Sequence, residues 1–410
     1  MALRMRLIHQ YVRHVSTDAR FLLAKSDNHR KHIRMITRIA FRNLFHDRVR
    51  LMVTLTGIVF AVVLVTVQAG LFLGFVTTIS GVVDNSGADI WVTSKGVKTF
   101  DIAMPMPESK LQEVLAVPGV AEAGRMVVDF SFWKKPGGGQ ESIEIVAYDT
   151  HTGLGAPWNL VRGDTSRLEA DDAVIMDTLY LGKLGITSMG QEVEIADSRA
   201  RVMGFTQGIR SFTTSPYIFT AYSNGHRYSR FAPGQITYVL ARAEQGVLPQ
   251  NLALAVAQHV SNVDVFTTGQ FSRTTREYWM LSTGAGAALV VAAFLGLVVG
   301  MVVVAQTLYA TTMDHLPEFA TLKAMGAPDG YILRILLVQA LISAVLGYAL
   351  GMSVCLVIVT ATAVSDVSIL LPWQLATGMF VMTLFMCVSA SVISIRKVLH
   401  IDPAVVFKGR

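Results

Sequence analysis

LMVTLTGIVFAVVLVTVQAGLFLGFVTTISGVV, residues 51–83, runs for 33 residues without one Asp, Glu, Lys or Arg. A helix crossing the hydrocarbon of a bilayer needs roughly 20 mostly apolar residues, so this stretch is long enough to span. Three more uncharged runs follow, at 278–313, 335–365 and 367–395. Strands of a transmembrane barrel alternate apolar and polar positions, and none of these runs does. Composition agrees: 52% of the 410 residues are apolar and only 16% are charged, where a soluble chain carries about 25%. The chain reads as an α-helical membrane protein with four transmembrane helices. Cys355 and Cys387 both fall inside uncharged runs and read as small packing residues; two cysteines are too few for a disulfide framework.

The flanks of the first run set the topology. Residues 1–50 hold 12 Lys/Arg against three Asp, which keeps them in the cytoplasm by the positive-inside rule. They lack the apolar core of a secretory signal. Four spans return the C-terminus to the same side, and the tail agrees, with Arg396, Lys397, Lys408 and Arg410 against Asp402. Between 76 and 277 lie 17 Lys/Arg and 21 Asp/Glu, so that segment is expected outside. The basic excess is juxtamembrane, which argues against a nucleic-acid partner. Within 33–49, Ile33, Ile36, Ala40 and Leu44 share one helical face and Arg34, Arg38 and Arg42 another. That predicts an interfacial helix lying on lipid, although Phe41 and Phe45 fall on the wrong side.

The expected layout is a basic segment at 1–50, a first span at 51–80, an outer domain at 81–278 and a second span at 279–313. A cytoplasmic loop at 314–330, a third span at 331–365, a fourth at 367–395 and a tail at 396–410 complete it. The outer segment mixes patterns. Strands are predicted at 88–94, 127–134, 142–148, 173–176, 192–196, 201–206, 217–221, 236–242 and 263–267, with Pro136-Gly137-Gly138-Gly139 as a hairpin tip. Helices are predicted at 107–117, ending near 184, and at 248–260. The expectation is an α/β or α+β domain inserted between the first and second spans. Residues 271–280 are expected to continue as helix straight into the second span.

Gly70 and Gly74, Gly296 and Gly300, and Gly347 and Gly351 are G-x-x-x-G pairs, one in each of the first three spans. Glycines four apart lie on one face and admit a neighbouring backbone, within the chain or across a dimer. No Asp, Glu, Lys, Arg or His sits mid-membrane, which argues against a carrier driven by its own ion gradient. The chain has no phosphate-cradling G-x-x-x-x-G-K-[ST], no H-E-x-x-H, no C-x-x-C and no G-x-S-x-G. His29 and His32, and the scattered His151, His226 and His259, lack ligand spacing. No catalytic centre, cofactor or metal is expected.

Glu318-Phe319-Ala320-Thr321-Leu322-Lys323-Ala324-Met325-Gly326-Ala327 resembles the R-E-I-G-x-L-R-A-x-G-A stretch of FtsX-like and MacB-like ABC transporter permeases. Residues 38–57 resemble the family's opening A-x-x-N-L-x-x-x-x-x-R stretch, with Asn43 and Arg50 matching. The basic run from Arg396, followed by Pro403, resembles its close. The layout without a fused ATPase is most similar to the DevC-type permeases. Pro317 departs from the pattern, which usually has Arg there, so that arginine's ion pair is not implied.

The resemblance implies a non-catalytic permease subunit of the bacterial inner membrane, pairing with a homologous chain or a second copy of itself. It implies a separate ABC-type ATP-binding subunit that binds the ATP, and in some systems a periplasmic adaptor. ATP-driven motion would pass through the spans to an outer domain that exports or extracts a lipid, lipoprotein, peptide or drug. An FtsX-like regulator of cell-wall hydrolases is the alternative, and a sensory receptor a more distant one. A motor on another protein must push on something. The 314–330 loop offers a two-turn helix closed by Gly326 as C-cap, with Phe319, Leu322 and Met325 as an apolar ridge and Glu318 and Lys323 flanking it. These residues are the expected ATPase-coupling site.

Overall fold

The computed structural model describes residues 35–399 apart from 39, 43, 47, 315 and 363–367. His29, His32, Ile33, Arg34 and Asn43 and the tail from residue 400 lie outside the described residues. Among the described residues, four helices are long and apolar enough to cross a membrane: Arg48–Ile79, Ala285–Asp314, Asp329–Thr362 and Trp373–Leu399. At 1.5 Å per residue each is about 40–50 Å long, enough for the hydrocarbon and headgroup layers together. The protein is a multi-pass membrane protein with four spans.

The chain divides into two compact units. One takes the described residues up to 67, 292–358 and those from 371 on; the other takes 68–291 and 359–370. In the first unit all four spans contribute to one core. Ile58, Ala61 and Val62 of the first meet Val304 of the second, Ala340 and Ala344 of the third, and Met386, Cys387 and Ala390 of the fourth. Small side chains dominate because helices in lipid associate by close packing, with no hydrophobic drive between them. Residues 35–38, 40–42 and 44–46 are helical. Ile36 and Ala40 are buried in a cluster with Ile332, Ile335 and Leu336 at the start of the third span. The apolar face expected on lipid is therefore covered by protein. Phe41 and Phe45, on the other side, stack on each other at 4.2 Å.

The second unit is built on a mixed sheet. Its strands are β1 (Ile90–Ser94), β2 (Met106–Pro107), β3 (Val120–Lys134), β4 (Gln140–Tyr148), β5 (Leu160–Gly163), β6 (Ala173–Asp177), β7 (Glu192–Ile195), β8 (Ser198–Thr206), β9 (Tyr217–Ala221), β10 (Gln235–Ile236), β11 (Tyr238–Ala243) and β12 (Val263–Thr267). The order is β12-β1-β11-β3-β4-β9-β6-β8-β5, with β7 against β3 and β8, while β2 and β10 pair separately. Pairing is antiparallel except for β4 with β9 and β6 with β8. This is the α/β mixture expected between the first two spans.

Both faces of the sheet are covered. On one, helices Ser109–Leu115 and Pro249–His259 bury Leu111, Val114, Leu252 and Val256 against Val92, Val127 and Ile145. On the other, Val82, Val83, Phe100 and Phe271 pack on Trp91, Val128, Val146 and Tyr238. Alternation in β1 sends Ile90 and Val92 to the first face and Trp91 to the second. The sequence pattern missed helix Tyr222–Tyr228, because a polar stretch holding Gly225 reads as a turn. Gly225 is there for close approach: a Cβ on it would lie 2.6 Å from the Ala147 methyl on β4.

One expectation is corrected. Helix Thr268–Glu277 does not run straight into the second span. A π-helical turn follows at Tyr278–Ser282, and Gly284 turns left-handed at φ +74° before the span begins at Ala285. That φ suits glycine, so the helix breaks at Gly284.

Candidate functional site

The residues of the expected ATPase-coupling site fall on helix Leu316–Ala324. Pro317 occupies its first turn, where a missing N–H costs no hydrogen bond. Gly326 follows at φ +91°, its N–H bonding Lys323 O at 2.9 Å while Met325 N–H bonds Thr321 O at 3.0 Å. Met325 is 72% exposed and Glu318 is exposed in the first turn. Lys323 turns toward the next element and pairs with Asp329 at 3.0 Å, at the start of the third span. The side chains of Phe319 and Leu322 lie outside the described residues.

The glycine pairs meet different partners. A Cβ on Gly300 would lie 2.6 Å from the Ala61 Cβ, and one on Gly296 3.2 Å from Leu64. A Cβ on Gly351 would lie 2.9 Å from Val62, and one on Gly347 would overlap Ile58. The pairs of the second and third spans thus both receive the first span. Among the described residues, the first span's own pair meets no helix at its nearest contacts. Residues 368–370 cross it: Leu370 N–H bonds Gly70 O at 3.0 Å, and a Cβ on Gly74 would overlap the Ser368 carbonyl.

Beside that crossing the second unit holds a set of contacts that the sequence did not announce. Arg276, near the end of helix Thr268–Glu277, donates from Nε to Ser80 Oγ at 2.7 Å and from Nη2 to Asp84 Oδ2 at 2.6 Å, just past the first span. Ser80 Oγ in turn donates to Asp84 at 2.8 Å. Trp279, in the π-helical turn, donates from Nε1 to Thr99 Oγ1 at 2.7 Å, with Asp101 Oδ2 at 3.3 Å. Its ring packs edge-on against Phe212 at 4.6 Å, and Phe212 against Phe75 of the first helix at 5.9 Å. Arg210 reaches Ser368 Oγ at 3.4 Å. A largely apolar cavity of about 230 Å³ lies among Leu71, Phe75, Phe212 and Leu289.

Two carboxyls in this region are electrostatically unusual. Burial pushes Asp101 up to about 6, against the hydrogen bonds from Thr99, Trp279 and Tyr217 that favour its charge. Glu144 is fully buried on β4, and neither carboxyl oxygen has a hydrogen-bond partner among the described residues. Burial first, then the charges of Asp101 and Asp129, raise it well above its ordinary value. Among the described residues no group of three or more His, Cys, Asp or Glu could hold a metal ion.

Two protein families match the chain. Residues 51–259 match the MacB-like periplasmic core domain, and residues 290–403 match the FtsX-like permease C-terminal region. An uncharacterized ABC transporter permease of Mycobacterium tuberculosis is 25% identical over 373 residues, covering 90% of this chain and 99% of its own length. One of Mycobacterium bovis is 24% identical over 374 residues, with the same shares covered. Among solved structures, the periplasmic region of MacB from Actinobacillus actinomycetemcomitans aligns with a TM-score of 0.35 at 10% identity. It covers 47% of this chain and 97% of that one.

Proposed function

We propose a function from one premise: the chain belongs to the MacB-like periplasmic core domain family, in an ABC transporter permease that ends in an FtsX-like permease C-terminal region. A permease of this kind is a non-catalytic subunit and works with an ATP-binding subunit. Both termini lie in the cytoplasm and the sheet domain outside. The ATP-binding subunit seats on helix Leu316–Ala324, and its cycle is relayed through the spans to the outer domain. There the permease, paired with a second copy or a homologous chain, exports or extracts a lipid, lipoprotein, peptide or drug.

The observation that carries this reading is the junction in the second unit. Arg276 joins the segment leading into the second span to Ser80 and Asp84 at the end of the first. Trp279 is bonded to the loop that packs under the sheet. A domain hung on two spans moves with them only if its connections are tied to its core, and these are.

The test is co-purification. The tagged chain should bring down an ATP-binding subunit, and changing Leu322 or Met325 to Asp should lower its recovery by roughly one to two decades. That range corresponds to losing one apolar contact of about 1.5–3 kcal/mol. Wild-type ATPase binding and stimulated turnover in both variants would move the coupling role elsewhere, first to residues 33–49.

A further inference from the structure

Residues 207–216, which link β8 to β9, form no strand or helix, yet they are tied down along their length. Ile209 N–H donates to Asp177 Oδ2 at 2.7 Å and Ser211 N–H to Tyr180 Oη at 3.2 Å. Both acceptor residues are buried. Lys183 Nζ donates to Thr214 O at 2.6 Å, and Ser215 Oγ to Ser142 Oγ at 3.1 Å. Thr214 itself stands at φ +63°, a left-handed conformation that a β-branched residue takes only under constraint. A loop held this firmly is a wall, and what it presents is Phe212.

Phe212 closes one side of the cavity of about 230 Å³ already described, and Leu71, Phe75 and Leu289 close others, all within the second unit. Its ring is backed by Trp279 at 4.6 Å and meets Phe75 edge-on at 5.9 Å. Hydroxyls in the lining are engaged with the protein: Thr78 Oγ1 donates to Gly74 O at 2.6 Å, and Ser211 Oγ shares a hydrogen bond with Thr213 Oγ1 at 2.7 Å. Among the described residues no Asp, Glu, Lys, Arg or His lines the cavity. An apolar cavity stays dry, and a preformed one with aromatic walls is the ordinary form of a small-molecule site.

The walls and the size choose the ligand. A charged molecule would lie there unpaired, at a large desolvation cost. Two rings set edge-to-face favour a third ring over a chain. An apolar cavity of ~150 Å³ takes benzene, and a water-sized group adds ~30 Å³, so about 230 Å³ has room for a ring with about two or three more carbons. By the same measure a whole lipid acyl chain overfills it. We propose that this cavity binds an uncharged molecule of one aromatic ring with a short apolar substituent. The proposal stands on the walls alone and uses no step of transport, so it can fail while the permease reading stands.

The test is photolabelling of the full-length chain in nanodiscs with a phenyl trifluoromethyl diazirine, whose ring and substituent match the cavity. Labelled positions are read by peptide mass spectrometry. Labelling of the segments holding Phe75 and Phe212 should saturate, and excess propylbenzene should abolish it. Nonane, with the same carbon count and no ring, should compete far less. Leu71→Trp and Leu289→Phe fill the cavity and should each lower the saturable labelling about tenfold, with circular dichroism verifying the fold. The wild-type competition decides even if a variant does not fold. Labelling that does not saturate, equal displacement by nonane, or undiminished labelling in both folded variants would overturn the proposal.

Discussion

Asp101 shows how one side chain can set a pH dependence. Its folded-state value, about 6, lies above the ordinary 3.8. Between those values the folded carboxyl keeps a proton that the unfolded chain has released. Stability from this group is therefore full below the lower value, falls as pH rises through the window, and is flat above it. The shift corresponds to a ceiling of about 3 kcal/mol. Melting of the full-length protein at pH 5 and pH 8 should show the effect as a difference between wild type and Asp101→Asn, the variant losing less stability toward pH 8. Parallel profiles would remove Asp101 from the account. Little of this was legible in sequence. Glu144 sits between Ile143 and Ile145 in an alternating strand, and alternation puts every second residue in water when one sheet face is open. Here the second face is closed by residues 81–84, Phe100 and Phe271, which come from far along the chain. Pattern reading sees periodicity and cannot see which distant segment covers a face.

Elements were read more fully. Of the six glycines in the G-x-x-x-G pairs, four lie where an added Cβ would meet another span at van der Waals distance or closer. What the spacing could not say is that the second and third spans both choose the first. Gly347→Ala tests the arrangement. The new methyl would overlap Ile58, a fully buried side chain in the four-span core, at a cost of about 1–3 kcal/mol. The full-length protein should melt several degrees lower, and adding Ile58→Ala should restore part of the loss. A melting temperature unmoved by Gly347→Ala would mean the two helices do not pack as seen. The broken lead-in to the second span was not legible, because a helix-forming stretch meeting an apolar run looks continuous until the left-handed Gly284 is known.

At the scale of the whole molecule, charge-free length alone located four spans, since nothing but a bilayer rewards about 30 residues without charge. Sidedness rests on the basic N-terminal segment and predicts which reagents reach the sheet domain. Gln140 is exposed at the start of β4, and both native cysteines are buried. Gln140→Cys in intact cells should therefore react with a membrane-impermeant maleimide. Labelling only after the membrane is breached would invert the topology. The crossing of residues 368–370 over the first span carries a last consequence, for how this sequence can drift. The bond from Leu370 to Gly70 is made by backbone atoms, so it is blind to the side chain at 370 and fails only with proline, which has no N–H. Positions 70 and 74 have no such latitude, since any β-carbon there strikes the crossing chain. The two partners of one contact therefore evolve under unequal rules. Homologues that keep the crossing should vary freely in the connection between the third and fourth spans, while remaining pinned to glycine on the helix beneath it.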